Sequence, residues 1–250
     1  MRELQERVAR ALPAEHVEHA AGWWLRRAPG CAWWVQTALP HGGGECEDMA
    51  LPRGGDLADR IAGAEKFFAE HGLPARFQIT PGACPPELDG MLAGRGYRVL
   101  SPMSLQTADL ADVRALAAPP LQVDVEEQLS QRWFAVWNSV HGGEADAERA
   151  LLERVQHPSA YACALVDGEV VGVGRAVAET GWAGVFGMAT LPAARGRGAA
   201  AAVLAALAEW AAGRAERMYL QVDAENAAAV RLYRRAGFSE AAAYHYRALQ

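Results

Sequence analysis

Cysteine is scarce in this chain of 250 residues, and the four present, Cys31, Cys46, Cys84 and Cys163, share no CxxC or histidine-rich spacing. Neither a disulfide framework nor a zinc site is indicated, so no metal is expected and the cysteines read as small buried hydrophobes. A basic surplus is also missing. The formal net charge of −6 lacks the electrostatic footprint of a nucleic-acid binder and favours a small, cationic partner instead. No apolar run approaches the length of a membrane span. The opening "MRELQERVARALPAEHVEHA" alternates charges where a signal peptide would be apolar, so a cytoplasmic protein with no membrane partner is expected. The composition of a disordered chain is absent too, because 51% apolar residues suffice for a sizeable core.

What is present falls into two parts. In "TADLADVRALAAPPLQ" an alanine-rich segment ends at Pro119-Pro120, a pair that continues neither a helix nor a central strand. The chain is therefore divided into residues 1–118 and 119–250. Downstream, "LQVDV" reads as a strand, "EEQLSQRWFAVWNSV" and "AERALLERVQ" as helices, and "YACALVDGEVVGVGRAVAE" as a hairpin turning at Asp167-Gly168, followed by the strand "WAGVFGMAT". A helix beginning near Arg195, the strand "MYLQV", a helix from Ala227 to Ala236 closed by Gly237, and a strand near "YHYRAL" complete an α/β pattern with a mixed sheet.

The first part echoes the second. Leu51-Pro52 corresponds to Leu191-Pro192, Gln78 to Gln221 and Gly96-Tyr97 to Gly237-Phe238, in the same order and at nearly constant offset. A duplicated fold is the expectation.

The most specific stretch is "LPAARGRGAAAAVLAALAEWAA", Leu191 to Ala212. A helix N-terminus leaves backbone N–H groups unpaired and carries partial positive charge, which suits a phosphate. Glycines at Gly196 and Gly198 allow close approach, and Arg195 and Arg197 add donors suited to a pyrophosphate. A solvent-facing, glycine-initiated helix is the plainer alternative. A Walker loop fails for want of the lysine. A dinucleotide fingerprint fits Gly196-x-Gly198-x-x-Ala201 with Asp223 downstream, but Leu191-Pro192-Ala193-Ala194 separate its glycines from the strand.

A third pattern, R/Q-x-x-G-x-G/A, is met by Arg195, Gly198 and Ala200, and "MATLPAARGRGAA" with Met188, Ala189 and Thr190 in the strand resembles the GNAT superfamily of acyl-CoA-dependent N-acyltransferases. "YLQVDAENAAAVRLYRRAGF" is similar to that family's second element through Asn226, Ala229, Leu232, Tyr233, Gly237 and Phe238. The resemblance spans about the last half of the chain. It implies tandem GNAT-like folds and acetyl-CoA as co-substrate. Its cofactor contacts would be Met188, Ala189 and Thr190 on a splayed strand, the turn Arg195, Gly196, Arg197, Gly198, Ala199 and Ala200, and Asn226, Ala229 and Tyr233. It further implies that the N–H of Met188 polarises the thioester and that Tyr233 protonates the departing thiolate, ordinary tyrosine and thiol pKa values of about 10 and about 8.5 being close. The acceptor would be a small-molecule or peptide amine. Without the first motif, Tyr233 would read as packing on an amphipathic helix.

Deprotonation of the amine calls for a base, for which His141, Glu144 and Glu179 are candidates and a water chain an alternative. Residues 1–118 look degenerate: Asp56 stands in the equivalent anion turn and Leu92 in the place of Tyr233. That half would be non-catalytic and take the position of a second subunit, which makes a monomer plausible. Trp23-Trp24 and Trp33-Trp34 could wall a substrate or pack as strand residues. An acyl-CoA-binding sensor without turnover and a dinucleotide-dependent oxidoreductase remain as alternatives of other classes.

Overall fold

Asp167 and Gly168 both take positive φ (53° and 83°) between Val166 and Glu169, which pair across a two-residue turn. This hairpin anchors the second half of a computed structural model that describes residues 1–40 and 56–249. Cys46 and the Leu51-Pro52 landmark lie outside the described residues.

The elements of residues 1–118 are α1 (Arg2–Ala11), β1 (His16–Ala20), β2 (Trp23–Arg27), β3 (Ala38–Leu39), α2 (Leu57–Glu70), β4 (Arg76–Ile79), α3 (Leu88–Gly94), β5 (Arg98–Asp109) and α4 (Leu110–Arg114). There follow β6 (Gln122–Glu126), α5 (Gln131–His141), α6 (Ala145–Glu153), β7 (Ser159–Val166), β8 (Glu169–Glu179), β9 (Gly181–Thr190), α7 (Ala199–Ala211), β10 (Ala215–Asp223), α8 (Ala227–Arg235) and β11 (Ser239–Ala248). All eleven strands join one sheet in the order β1-β2-β3-β4-β11-β5-β10-β9-β8-β7-β6. Among the described residues only β3–β4 and β9–β10 pair in parallel, so the doubly wound parallel sheet of a dinucleotide-binding oxidoreductase is ruled out.

The order contains an exchange. β5 leaves its own β4 to pair with β10, while β11 leaves β10 to pair with β4, and the two travelling strands pair with each other. Ser239 faces Thr107 at one end and Arg247 faces Val99 at the other, with Ala243 opposite Ser104 and Tyr244 opposite Met103 between them. Each of these four pairs is the image of another among them under one constant shift in numbering. A local twofold relation between the halves is the result.

The alanine-rich run of α7 has a packing reason. Ala201, Ala202, Val203, Leu204, Leu207, Ala208 and Ala211 are buried against Ala160, Ala162, Ala164 and Ala176 of the sheet. A β-carbon at Gly174 would collide with Val203 Cγ1 (2.7 Å) and with the Met188 sulfur, and one at Gly172 would stand 3.0 Å from Ala199 Cβ. Small residues on both surfaces therefore seat the helix close to the sheet. On the opposite face, α5 and α6 cover Tyr161, Cys163, Val173 and Ala189, and Val8 and Ala11 of α1 cover Val177, Phe186 and Tyr219. The first half thus lends the second both a strand and a helix.

Several element limits depart from the sequence reading. α5 starts at Gln131, after the Ser130 N-cap, because residues up to Glu126 extend β6 against β7. α7 starts at Ala199 and not near Arg195, since Gly196 and Gly198 are left-handed (φ 77° and 84°) and interrupt any helix there. β11 begins at Ser239, lengthened by pairing with β5. Trp23 and Trp24 are strand residues, Trp23 packed edge-on to Phe77, whereas Trp33 and Trp34 sit on a 3-10 turn. Cys31 and Cys163 are buried and Cys84 half-buried, all as free thiols. No described helix is long and apolar enough to cross a membrane, and no group of three metal-ligating side chains occurs among the described residues.

Candidate active site

β9 and β10 run side by side from the Ala215–Gly181 pair to the Leu220–Val185 pair and then part, although β9 continues to Thr190 and β10 to Asp223. The parting exposes the edge of β9 that carries Met188, Ala189 and Thr190. On its other edge β9 bulges: Phe186 faces Arg175 and Ala189 faces Val173, leaving Gly187 (φ 60°) and Met188 against one residue of β8. Such a bulge bends a strand and turns its backbone groups out of the ladder. Trp137 enforces the glycine, because a β-carbon at Gly187 would stand 2.9 Å from its indole nitrogen.

Below the parted strands lies the turn into α7. α7 has no side-chain N-cap, and its first internal bond runs from the Ala202 N–H to the Gly198 carbonyl, so the N–H groups of its first turn face outward. Arg195, Gly196 and Arg197 are exposed, and neither arginine is held in an ion pair among the described residues. The glycines divide two tasks. A β-carbon at Gly196 meets nothing within 4 Å, whereas one at Gly198 would collide with the Pro119 ring. Gly196 leaves open space before the turn, and Gly198 admits the linker proline. Sequence reasoning assigned both glycines to the anion and missed Pro119, which no local pattern connects to residue 198.

On the far side of the opening, Asn226 caps α8 by accepting a hydrogen bond from the Ala229 N–H (3.1 Å). Tyr233, two turns on, is 6% exposed, with its ring edge-on to Phe238 at 5.9 Å. Burial pushes its hydroxyl up to about 12. The near match to a thiol expected from ordinary values is therefore corrected: Tyr233 is a weaker acid than an ordinary tyrosine, and stays protonated at every working pH.

The three candidate bases separate clearly. Glu179 faces Trp182 across the sheet, about 20 Å of strand from Met188, and is taken up by Arg10 (2.7 Å) and Arg7 (3.8 Å). Glu144 abuts Gly30 and donates its backbone N–H to the Gly30 carbonyl (3.2 Å), holding the loop of the first half. His141 ends α5, its ring 5.3 Å from Trp137. The residue is exposed, yet crowding by protein lowers the imidazole pKa, an effect partly offset by the nearby Met188 backbone. Of the three, only His141 reaches the bulge.

In the first half the equivalent positions differ. Asp56 is the N-cap of α2, and Leu92 is fully buried in α3 beside Phe77 and Tyr97.

Residues 123–238 match the acetyltransferase (GNAT) family. An uncharacterized N-acetyltransferase, YobR, of Bacillus subtilis (strain 168) is 27% identical, with 97% of this chain and 96% of that protein aligned. Among solved structures, a GCN5-related N-acetyltransferase from Kribbella flavida superposes with a TM-score of 0.70 at 18% identity, covering 99% of this chain and 94% of that one. A tandem GNAT protein from the clavulanic acid biosynthesis pathway superposes with a TM-score of 0.66 at 13% identity, covering 95% and 84%.

Proposed function

Because residues 123–238 make this chain an N-acetyltransferase of the GNAT family, we propose that it transfers an acetyl group from acetyl-CoA to a primary amine by direct attack in a ternary complex. The observation that carries this reading is the conjunction of the parted edge of β9 with the uncapped, arginine-flanked turn into α7. The two adjoin through Leu191–Ala194. An extended ligand with amides at one end and a pyrophosphate at the other fits that sequence of surfaces.

The co-substrate supplies an activated acetyl group and a thiolate leaving group; the rest falls to residues of the chain. Arg195, Arg197 and the N–H groups from Gly196 to Ala200 hold the pyrophosphate. Ala189 and Thr190 offer backbone groups to the pantetheine amides, and the N–H of Met188 donates to the acetyl oxygen as negative charge develops there. Asn226 and Ala229 line the opposite wall. His141 takes the proton of the attacking amine on the ring nitrogen that carries the lone pair in the neutral imidazole. Tyr233 donates the proton that the leaving sulfur requires.

Residues 1–118 form a GNAT-like unit without a site of its own, and residues 119–250 the catalytic unit. With Asp56 at the equivalent helix start, a carboxylate opposes any phosphate there. Thiol release from acetyl-CoA, measured over a panel of primary amines, tests the assignment. Tight CoA binding without thiol release on any amine would identify a sensor instead.

A further inference from the structure

Two arginines on the face of the sheet covered by α1 lack the counter-charge that burial demands. Arg175 of β8 is 1% exposed and Arg26 of β2 is 3% exposed. They come from different halves and converge on one spot. Arg175 donates to the Ala11 carbonyl (2.7 Å) and Arg26 to the Leu12 carbonyl (2.5 Å), consecutive groups at the end of α1. Both guanidiniums thus end inside the protein at the C-terminus of α1. The negative end of the α1 dipole offsets about half a charge. No carboxylate among the described residues pairs with either arginine; the ionisable neighbours are Tyr246 for Arg26, and Tyr161, whose hydroxyl approaches the guanidinium as a hydrogen-bond partner, and Tyr219 for Arg175. One nitrogen of each, Arg26 Nε and Arg175 Nη1, is buried without a hydrogen-bond partner.

The cluster adjoins the bulge. Arg175 lies directly opposite Phe186 with its guanidinium 5.3 Å from that ring, and Phe186 precedes Gly187 and Met188 in sequence. Across β8, Arg175 faces Tyr161, which packs on Trp133 at 5.2 Å, and Trp133 in turn approaches Gly187. The half-buried Trp33 and Trp34 of the first half pack against the same cluster. Unpaired buried charge is costly, and unpartnered buried donors in a native fold call for a missing acceptor.

We infer that Arg175 and Arg26 form a carboxylate-binding subsite, and that the acceptor is an amino-acid-like compound bearing a carboxylate close to the amine that is acetylated. The inference rests on the transferase reading for the amine but not for the carboxylate. A carboxylate brings two acceptor oxygens and one negative charge, which match the two unpartnered nitrogens and the surplus of cation. It runs against the chain's acidic balance, which describes the surface and not this junction.

The test compares, on the intact enzyme with acetyl-CoA, initial rates for the standard L-amino acids against their α-carboxamides and against polyamines. At least one free acid should exceed its amide by about tenfold to a hundredfold in kcat/KM, and Arg175→Gln and Arg26→Gln should each bring the ratio close to one through the KM of the acid. Arg175→Lys should restore part of it. Equal rates for acids and amides, acetylation of carboxylate-free amines alone, or a ratio unmoved by either substitution while Tm falls would overturn the subsite and leave the arginines as caps of α1. A second readout is free of turnover: thermal shifts with N-acetyl-amino acids and their amides. If no amine is acetylated but the acids alone protect, and lose that protection in Arg26→Gln, the transferase reading fails while the subsite stands. Should the variants not fold, the acid-to-amide comparison in the unmodified enzyme decides by itself.

Discussion

Pro119 packs its ring against the α-carbon of Gly198, so the linker between the two halves shapes the turn that begins α7. Substitution there does two things at once: a side chain strains the left-handed backbone and displaces the proline. Gly198→Ala should therefore lower stability by about 1–3 kcal/mol, visible as a drop in Tm. Arg195→Gln or Arg197→Gln should leave Tm in place and weaken CoA binding about tenfold each by calorimetry. Wild-type CoA affinity in the double arginine variant would remove the pyrophosphate from this turn.

Tyr233→Phe keeps the buried ring and its contact with Phe238 while deleting the proton donor. Turnover should fall about a hundredfold with CoA affinity nearly unchanged. Unaltered turnover on fast and slow acceptors alike would reduce the residue to packing.

The imidazole of His141 is held below its ordinary pKa of 6.5 by burial. A base works when unprotonated, so kcat/KM should rise with pH through that lowered value and already be level at neutrality. His141→Gln should remove this acid limb and cost about a hundredfold at pH 7. A limb that persists in the variant would assign the proton transfer to water or another group.

How much of this was legible beforehand can be judged residue by residue. The turn at Asp167-Gly168, the cap at Asn226 and the close of α8 before Gly237 are local patterns, and each appears in the structure where its spacing put it, whereas the helix expected from near Arg195 starts at Ala199. The pair Pro119–Gly198, the nearness of His141 to the Met188 backbone, and the meeting of Arg175 and Arg26 with the end of α1 join residues far apart in the chain. Periodicity carries no record of such contacts. The same limit hid the strand exchange, since β5 and β11 are ordinary strands whichever neighbour they take.

Asp89 of α3 accepts hydrogen bonds from Arg247 (2.8 Å) and lies 2.8 Å from the His245 ring, fastening β11 to the first half. Chiefly through Arg247, its carboxyl is lowered from 3.8 to about 2. A depressed folded pKa contributes stability above the unfolded value, and this contribution is lost as pH falls from about 4 through about 2. The Tm gap between the native protein and Asp89→Asn should be present at pH 7 and close by pH 2; a gap independent of pH would place the effect in packing alone.

Calorimetry on the intact chain should find a single equivalent of CoA, because Asp56 and Leu92 replace the arginine turn and the tyrosine in the first half. Residues 119–250 expressed alone lack β5, which exposes the edge of β10, and should bind CoA weakly or aggregate. Two equivalents per chain, or full activity from the fragment, would contradict the assignment of roles to the halves.

The reciprocal placement of β5 and β11 also governs the order in which the molecule can be made. During synthesis the first half emerges with β4 missing its neighbour, and it keeps that open edge until residues 239–248 have been translated. β5, for its part, waits for β10. Neither half can close as a unit on the ribosome, so the last step of folding joins distant segments and is slow by the measure of loop closure. A chain stalled before residue 239 would present an unpaired strand to other nascent copies, and the same geometry allows two full-length copies to complete one another's sheets in place of their own.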